Sequence, residues 1–150
     1  MSIVTPSTFV SGVPSLTGAF GSGSLQTPIS IGELWDKYSI LLIKQQKITD
    51  ACKLDYVRYE IDCLYKIMKQ YPYIDCELFI QLQTVNTQLW EVEDSLRIKE
   101  KKKEFDNEFI EFARSVYYTN DKRAEIKKQI NIRYNSIIHE TKDYVEYKAL

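Results

Sequence analysis

The stretch LFIQLQTVNTQLWEVEDSL, residues 78–96, carries the strongest periodic signal in the chain. Leu78, Leu82, Val85, Leu89, Val92 and Leu96 recur at spacings of 4, 3, 4, 3 and 4. That is a heptad seam, the pattern of a helix packed lengthwise on another helix, as in coiled coils. The seam fades at KEKKKE, residues 99–104. This run is balanced by its own glutamates and by Glu108, and reads as a solvated helix end and loop.

Working outward, three more helices follow from their ends. Ser30 and Glu33 form S-x-x-E, a capping box, behind Pro28 and with Ile29 and Leu34 at the staple positions. This first helix should run to about Thr49 on a stripe that includes Leu34, Trp35, Tyr38 and Leu41. A second begins at Thr49 or Asp50 and runs to about Gln70, with Leu54, Val57, Ile61, Leu64 and Met68 in register. Tyr71-Pro72 should break it, because the residue before proline avoids helical angles. The seam helix starts near Asp75. The fourth takes Asp106 as cap and Phe105 opposite Ile110 as staple, and reaches about His139, roughly 50 Å away. Short connections favour antiparallel neighbours. The expected fold is all-α: an antiparallel bundle of about four helices built on long helical hairpins, with a dimeric bundle as the alternative.

The chain has two compositional zones. From Met1 to Gly32 there is no charged side chain, and residues 1–28 hold four of the five glycines and three of the four prolines. This segment reads as a flexible leader or as an extended arm that orders on a partner. Residues 29–139 form the helical domain, and 140–150 read as a short tail. With 150 residues, 20 basic and 21 acidic side chains and a formal charge of −1, the chain is no general polyanion binder. Nucleic acid is therefore not the expected partner. The three cysteines lack any C-x-x-C spacing and read as small hydrophobes in a reducing compartment. The longest apolar run, Ile40–Ile43, is four residues, whereas a membrane span needs about twenty. A cytoplasmic location is expected, either host cytoplasm or virion if the source is viral.

Two sets of positions escape the packing pattern. Asp36, Ile40 and Ile43 lie roughly opposite the main stripe of the first helix. Either that helix is central, or these residues form a partner face. In the fourth helix Asn120, Arg123 and Lys127 interrupt the apolar stripe between Val116 and Ile130. Buried charge is costly unless paired, so Glu33, Glu93 or Asp94 should come to meet Arg123 or Lys127. With Asn86, Trp90, Glu93 and Arg97 beside the heptad seam, these positions make the candidate polar cluster. It reads either as a polar layer that fixes helix register or as a groove for a sugar or nucleotide. The lone histidine, His139, suits a helix C-terminus better than a catalytic role. No clustered Cys/His set, E-x-x-H pair, P-loop or G-x-G-x-x-G occurs, so neither metal nor cofactor is expected.

The segments PISIGELWDKYSILLIKQQKI, VNTQLWEVEDSLRIKE and FDNEFIEFARSVYYTNDKRAEIKKQIN resemble, in order and spacing, a family of small bacterial and viral proteins, domain of unknown function 6165. The likeness spans roughly residues 28–145. It implies a helical fold and carries over no activity or catalytic residue. Its members turn up near surface-glycan genes and in viral genomes. Shared positions include Ser30, Gly32, Glu33, Asp36, Lys37, Asn86, Trp90, Glu93, Asp94, Arg97, Arg114, Ser115, Tyr117, Asn120, Asp121 and Arg123. The first 27 residues match nothing in the pattern. The expected function is a non-enzymatic helical interaction or structural module, self-associating, with a viral or phage accessory or minor virion component as one setting. The alternative is a binding protein or small enzyme acting on a nucleotide-sugar or glycan precursor.

Overall fold

Ser30 sets the first boundary. Its backbone is extended (φ −72°, ψ 159°) and its hydroxyl accepts the Glu33 N–H at 3.1 Å. The computed structural model describes residues 25–71, 76–143 and 145, so all but the last four residues of the leader assigned to residues 1–28, the Pro72 break and most of the tail lie outside the described residues. Four helices follow: α1 (Ile31–Lys47), α2 (Ala51–Met68), α3 (Cys76–Lys102) and α4 (Asn107–Arg133). The described residues contain no strand.

A helix start leaves four N–H groups without intrahelical partners. In α1 two of them are met by residues at and just beyond the end of α4. Ile31 donates to Ser136 Oγ at 3.4 Å and Gly32 to Asn131 Oδ1 at 2.7 Å, while Glu33 and Leu34 use the side chain and carbonyl of Ser30. Glu33, expected to reach back to the cap, carries its Oε2 to the Lys127 ammonium instead. Replacing Ser30 with alanine removes a cap and should cost about 1 kcal/mol in a urea unfolding curve.

α1 ends at Lys47, short of the expected Thr49, because Asp50 must be extended to cap α2 by accepting the Lys53 N–H at 2.9 Å. Asp106 caps α4 as expected, taking the Phe109 N–H at 2.9 Å. α4 stops at Arg133 rather than near His139. Asn135 adopts φ 51°, and the Ser136 N–H returns to the Asn131 carbonyl at 2.8 Å, closing a Schellman turn. Asn tolerates the left-handed region better than most residues, so it stands here in place of glycine, which does not occur after Gly32. His139 therefore lies beyond the helix, and Ile137 is exposed rather than part of the stripe.

The same turn closes α3: Lys103 has φ 60° and the Glu104 N–H meets the Lys99 carbonyl at 3.0 Å. One residue of KEKKKE departs from the solvated reading. Lys99 is buried and bridges Asp106 at 2.9 Å and Glu108 at 2.6 Å, tying the end of α3 to the start of α4.

α3 and α4 form the longer hairpin, with α1 against both and α2 packed on α1. The core gathers Leu34 and Trp35 of α1, Met68 of α2, Leu82, Val85 and Leu89 of α3, and Ile126 and Ile130 of α4. Trp35 is fully buried between Phe79 and Tyr134, with ring centroids 6.1 and 5.0 Å away. α1 is thus the central element, and its 17 residues span about 25 Å against about 40 Å for each 27-residue helix of the hairpin. The hairpin outruns α1. Its turn end carries Ile98, Phe105 and Ile110, each about half-exposed.

Candidate functional site

The face of α1 away from the main stripe reads Gly32, Asp36, Ser39, Ile43, at spacings of 4, 3 and 4. All four are buried. The expectation that Asp36, Ile40 and Ile43 form a partner face is corrected here. Asp36 and Ile43 are only 1% and 3% exposed, Ile40 is half-buried, and Asp36 points at α3 and α4 of its own chain. The physical reason is the central place of α1, which packs this face against α3 and α4.

Asp36 is the hub. Its carboxylate accepts Arg123 Nε at 2.9 and 3.1 Å, a second donor from the same guanidinium, and Asn86 Nδ2 at 2.8 Å. Asn86 also donates to Ser39 Oγ at 2.7 Å, and Ser39 donates to the Asp36 carbonyl at 2.8 Å. Arg123 reaches Asn120 Oδ1 at 3.3 Å. One turn further along α4, the buried Lys127 ammonium binds Glu33 at 2.6 Å and Glu140 at 3.0 Å, and lies 3.9 Å from Asp36. Three helices and the segment after α4 are thus joined through one polar layer.

Asp36 raises the affinity of the Arg123 guanidinium for its proton, against the opposing effect of burial. Burial pushes Lys127 down, but Glu33 and Glu140 more than offset it and hold it above its ordinary value. Burial likewise pushes Glu140 up, and Lys127 outweighs it, so the carboxyl sits below its usual range. Both cations are therefore charged at neutral pH. Glu140 also pairs with Lys142 at 3.3 Å, so the three carboxylates Glu33, Asp36 and Glu140 are matched by three cations. An incoming phosphate would have to compete with Asp36 and Glu33 for donors already engaged.

Of the candidate cluster, Asn86, Asn120, Arg123 and Lys127 meet in this layer. Glu93 and Arg97 do not come to it: they bond each other at 3.0 Å on the exposed side of α3. Trp90 is half-buried. Glu33 is the partner that Lys127 required, whereas Arg123 is met by Asp36, which sequence reasoning had turned the other way. Ser39, Asn131, Ser136 and Glu140 were not singled out. The small residues Gly32 and Ser39 in heptad register with Asp36 are the signal that identifies a close-packed second seam. The cysteines also differ from the buried reading: Cys52 and Cys76 are exposed and Cys63 is half-buried. A shallow groove of about 720 Å³ runs between α3 and α4, lined by Glu77, Leu78, Gln81, Gln129, Ile132 and Arg133. None of these belongs to the candidate cluster.

The lowered carboxyls give a pH dependence. Glu140 has an ordinary value of 4.5 and Asp106 of 3.8, and both are lower in the folded chain, Asp106 because of the Phe109 N–H and then Lys99. Their contribution is complete above those ordinary values and is lost as pH falls through the lowered ones. The urea midpoint should be level from neutral pH to about 5 and fall below about 4. Glu140→Gln should flatten this acid limb.

Among the described residues no three His, Cys, Asp or Glu side chains group to hold a metal ion, and no helix is long and apolar enough to cross a membrane. No curated protein and no solved structure matches the chain. The chain does match, over residues 25–148, the model of a family of unknown function, DUF6165, and belongs to that family.

Proposed function

We propose that this chain is a non-enzymatic helical interaction module that self-associates. The observation that carries this reading is a contrast. The polar cluster that could have met a ligand spends its charges within the chain, while large apolar and aromatic side chains stand on the surface. Tyr56 is 79% exposed and Tyr59 63%, and the turn end of the hairpin adds Ile98 and Phe105. Exposed groups of this kind mark contact surfaces. In a viral or phage setting such a module suits an accessory or minor virion component. Light scattering after size exclusion should return a dimer or larger species, and a strict monomer at high concentration overturns the reading.

The second reading is a binding protein or small enzyme for a nucleotide-sugar or glycan precursor. One observation favours it: the Arg123 side chain keeps 27% of its surface exposed, next to the half-buried Asn120. On this reading UDP-glucose raises the melting temperature of the native protein and not that of Arg123→Met. No shift across a set of nucleotide sugars removes it.

A further inference from the structure

α2 is held to the fold differently from the other helices. Of its 18 residues only Val57 and Met68 are buried, whereas the 17-residue α1 buries seven. Leu54, Ile61, Leu64 and Ile67 are half-buried beside these two anchors. α2 lies against α1 and, among the described residues, its backbone approaches neither helix of the hairpin. The ion pair across to α1, Lys37–Glu60 at 2.7 Å, leaves its side chains 52% and 42% exposed, and pairs so open to water contribute little. By contrast α1, α3 and α4 share the buried Asp36 layer, and the buried Lys99 ties α3 to the start of α4.

The free energy that keeps a segment closed follows the apolar area it buries, so elements with few buried groups open first and as units. Most helical stability comes from packing on a neighbour, so α2 unfolds when it leaves α1. What remains keeps its frame. Leu82, Leu89, Ile126 and Ile130 still share a core, and the Asp36 layer uses no residue of α2. Opening uncovers the side of α1 beneath α2. There Tyr38 lies near Tyr65 and Asp62, and Leu34 and Trp35 share a core with Met68.

We propose that α2 is a lid that opens as one unit, ahead of the rest of the molecule, and so uncovers the apolar side of α1. This is a property of the single chain and stands independently of self-association.

The test is native-state hydrogen exchange of the full chain, read by mass spectrometry of its peptides, in water and in urea below the unfolding transition. Peptides from α2 should exchange at least about 100-fold faster than those from the middle of α3 and α4, and α1 should exchange with the hairpin. Urea should speed all α2 peptides by a common factor, which marks the opening of a unit, because the exposed surface sets the urea dependence. Two substitutions then separate the lid from the frame. Ile126→Val weakens a core that stays closed when the lid opens, so it should speed exchange in α1, α3 and α4 a few-fold and leave α2 as it was. Val57→Ala weakens the closed state against every opened one, and should speed exchange throughout the chain by about tenfold. If α2 is as protected as the hairpin, or Ile126→Val speeds α2 equally, α2 opens only with the whole molecule and the proposal is overturned. Fast exchange confined to the ends of α2 and indifferent to urea is fraying, and overturns it too.

Discussion

Replacing Asp36 with alanine is expected to destabilise the protein by about 3 kcal/mol or more. Removing one partner of a buried pair leaves the other charge without compensation, and that uncompensated charge dominates the loss. Here the stranded groups are Arg123 and Asn86, with Lys127 close behind. Arg123 keeps some contact with water, which places the figure at the lower end of the range for such losses, about 3–5 kcal/mol. A domain of this size has only about 5–15 kcal/mol of stability in all, so the variant should unfold at a much lower urea concentration. The double variant Asp36→Leu with Arg123→Met should recover part of the loss, because no charge is then left buried. A cost below about 1 kcal/mol for Asp36→Ala, in the range of exposed pairs, would show that the layer is not what holds α1 to the hairpin.

Gly32→Ala should be as damaging, against the usual rule. In an ordinary helix interior this change gains about 1 kcal/mol of propensity. At Gly32 an added Cβ would lie 2.6 Å from the Lys127 carbonyl oxygen and 2.9 Å from Asn131 Oδ1. The first of these is backbone of α4 and cannot swing aside. α1 must move off, which stretches the 2.7 Å bond from the Gly32 N–H to Asn131 and shifts Asp36 one turn on. Overpacking of this kind costs about 1–3 kcal/mol, and the lost cap adds about 1 more. A fall in melting temperature on the order of 10 °C is expected by circular dichroism. Asn131→Ala should not rescue it, since the backbone contact remains.

These two residues show how far the chain could be read before its fold was seen. Ser30, Asp50 and Asp106 announce helix starts through short-range hydrogen bonds, and such bonds involve residues only three apart. The seam from Leu78 to Leu96 states its own period. Gly32 and Asp36 are different. Their partners are Asn131 and Arg123, some ninety positions away, and periodicity says which face a residue occupies without saying what lies opposite. A second apolar face on α1 was visible, but whether a neighbouring helix or another molecule covers it depends on how many helices surround α1. Glu140 was the hardest to foresee, because the segment that brings it to Lys127 has no periodicity at all.

The sequence alone therefore determined an all-α chain, the ends of most helices and the seam of the long hairpin, because those depend on local hydrogen bonding and the spacing of apolar groups. The tertiary structure alone decided that α1 is central, that Asp36 faces inward to Arg123, and that the end of α4 caps the start of α1. Those outcomes follow from the close approach of backbones at Gly32 and from the need to pair each buried charge, and both conditions exist only once distant segments are in contact.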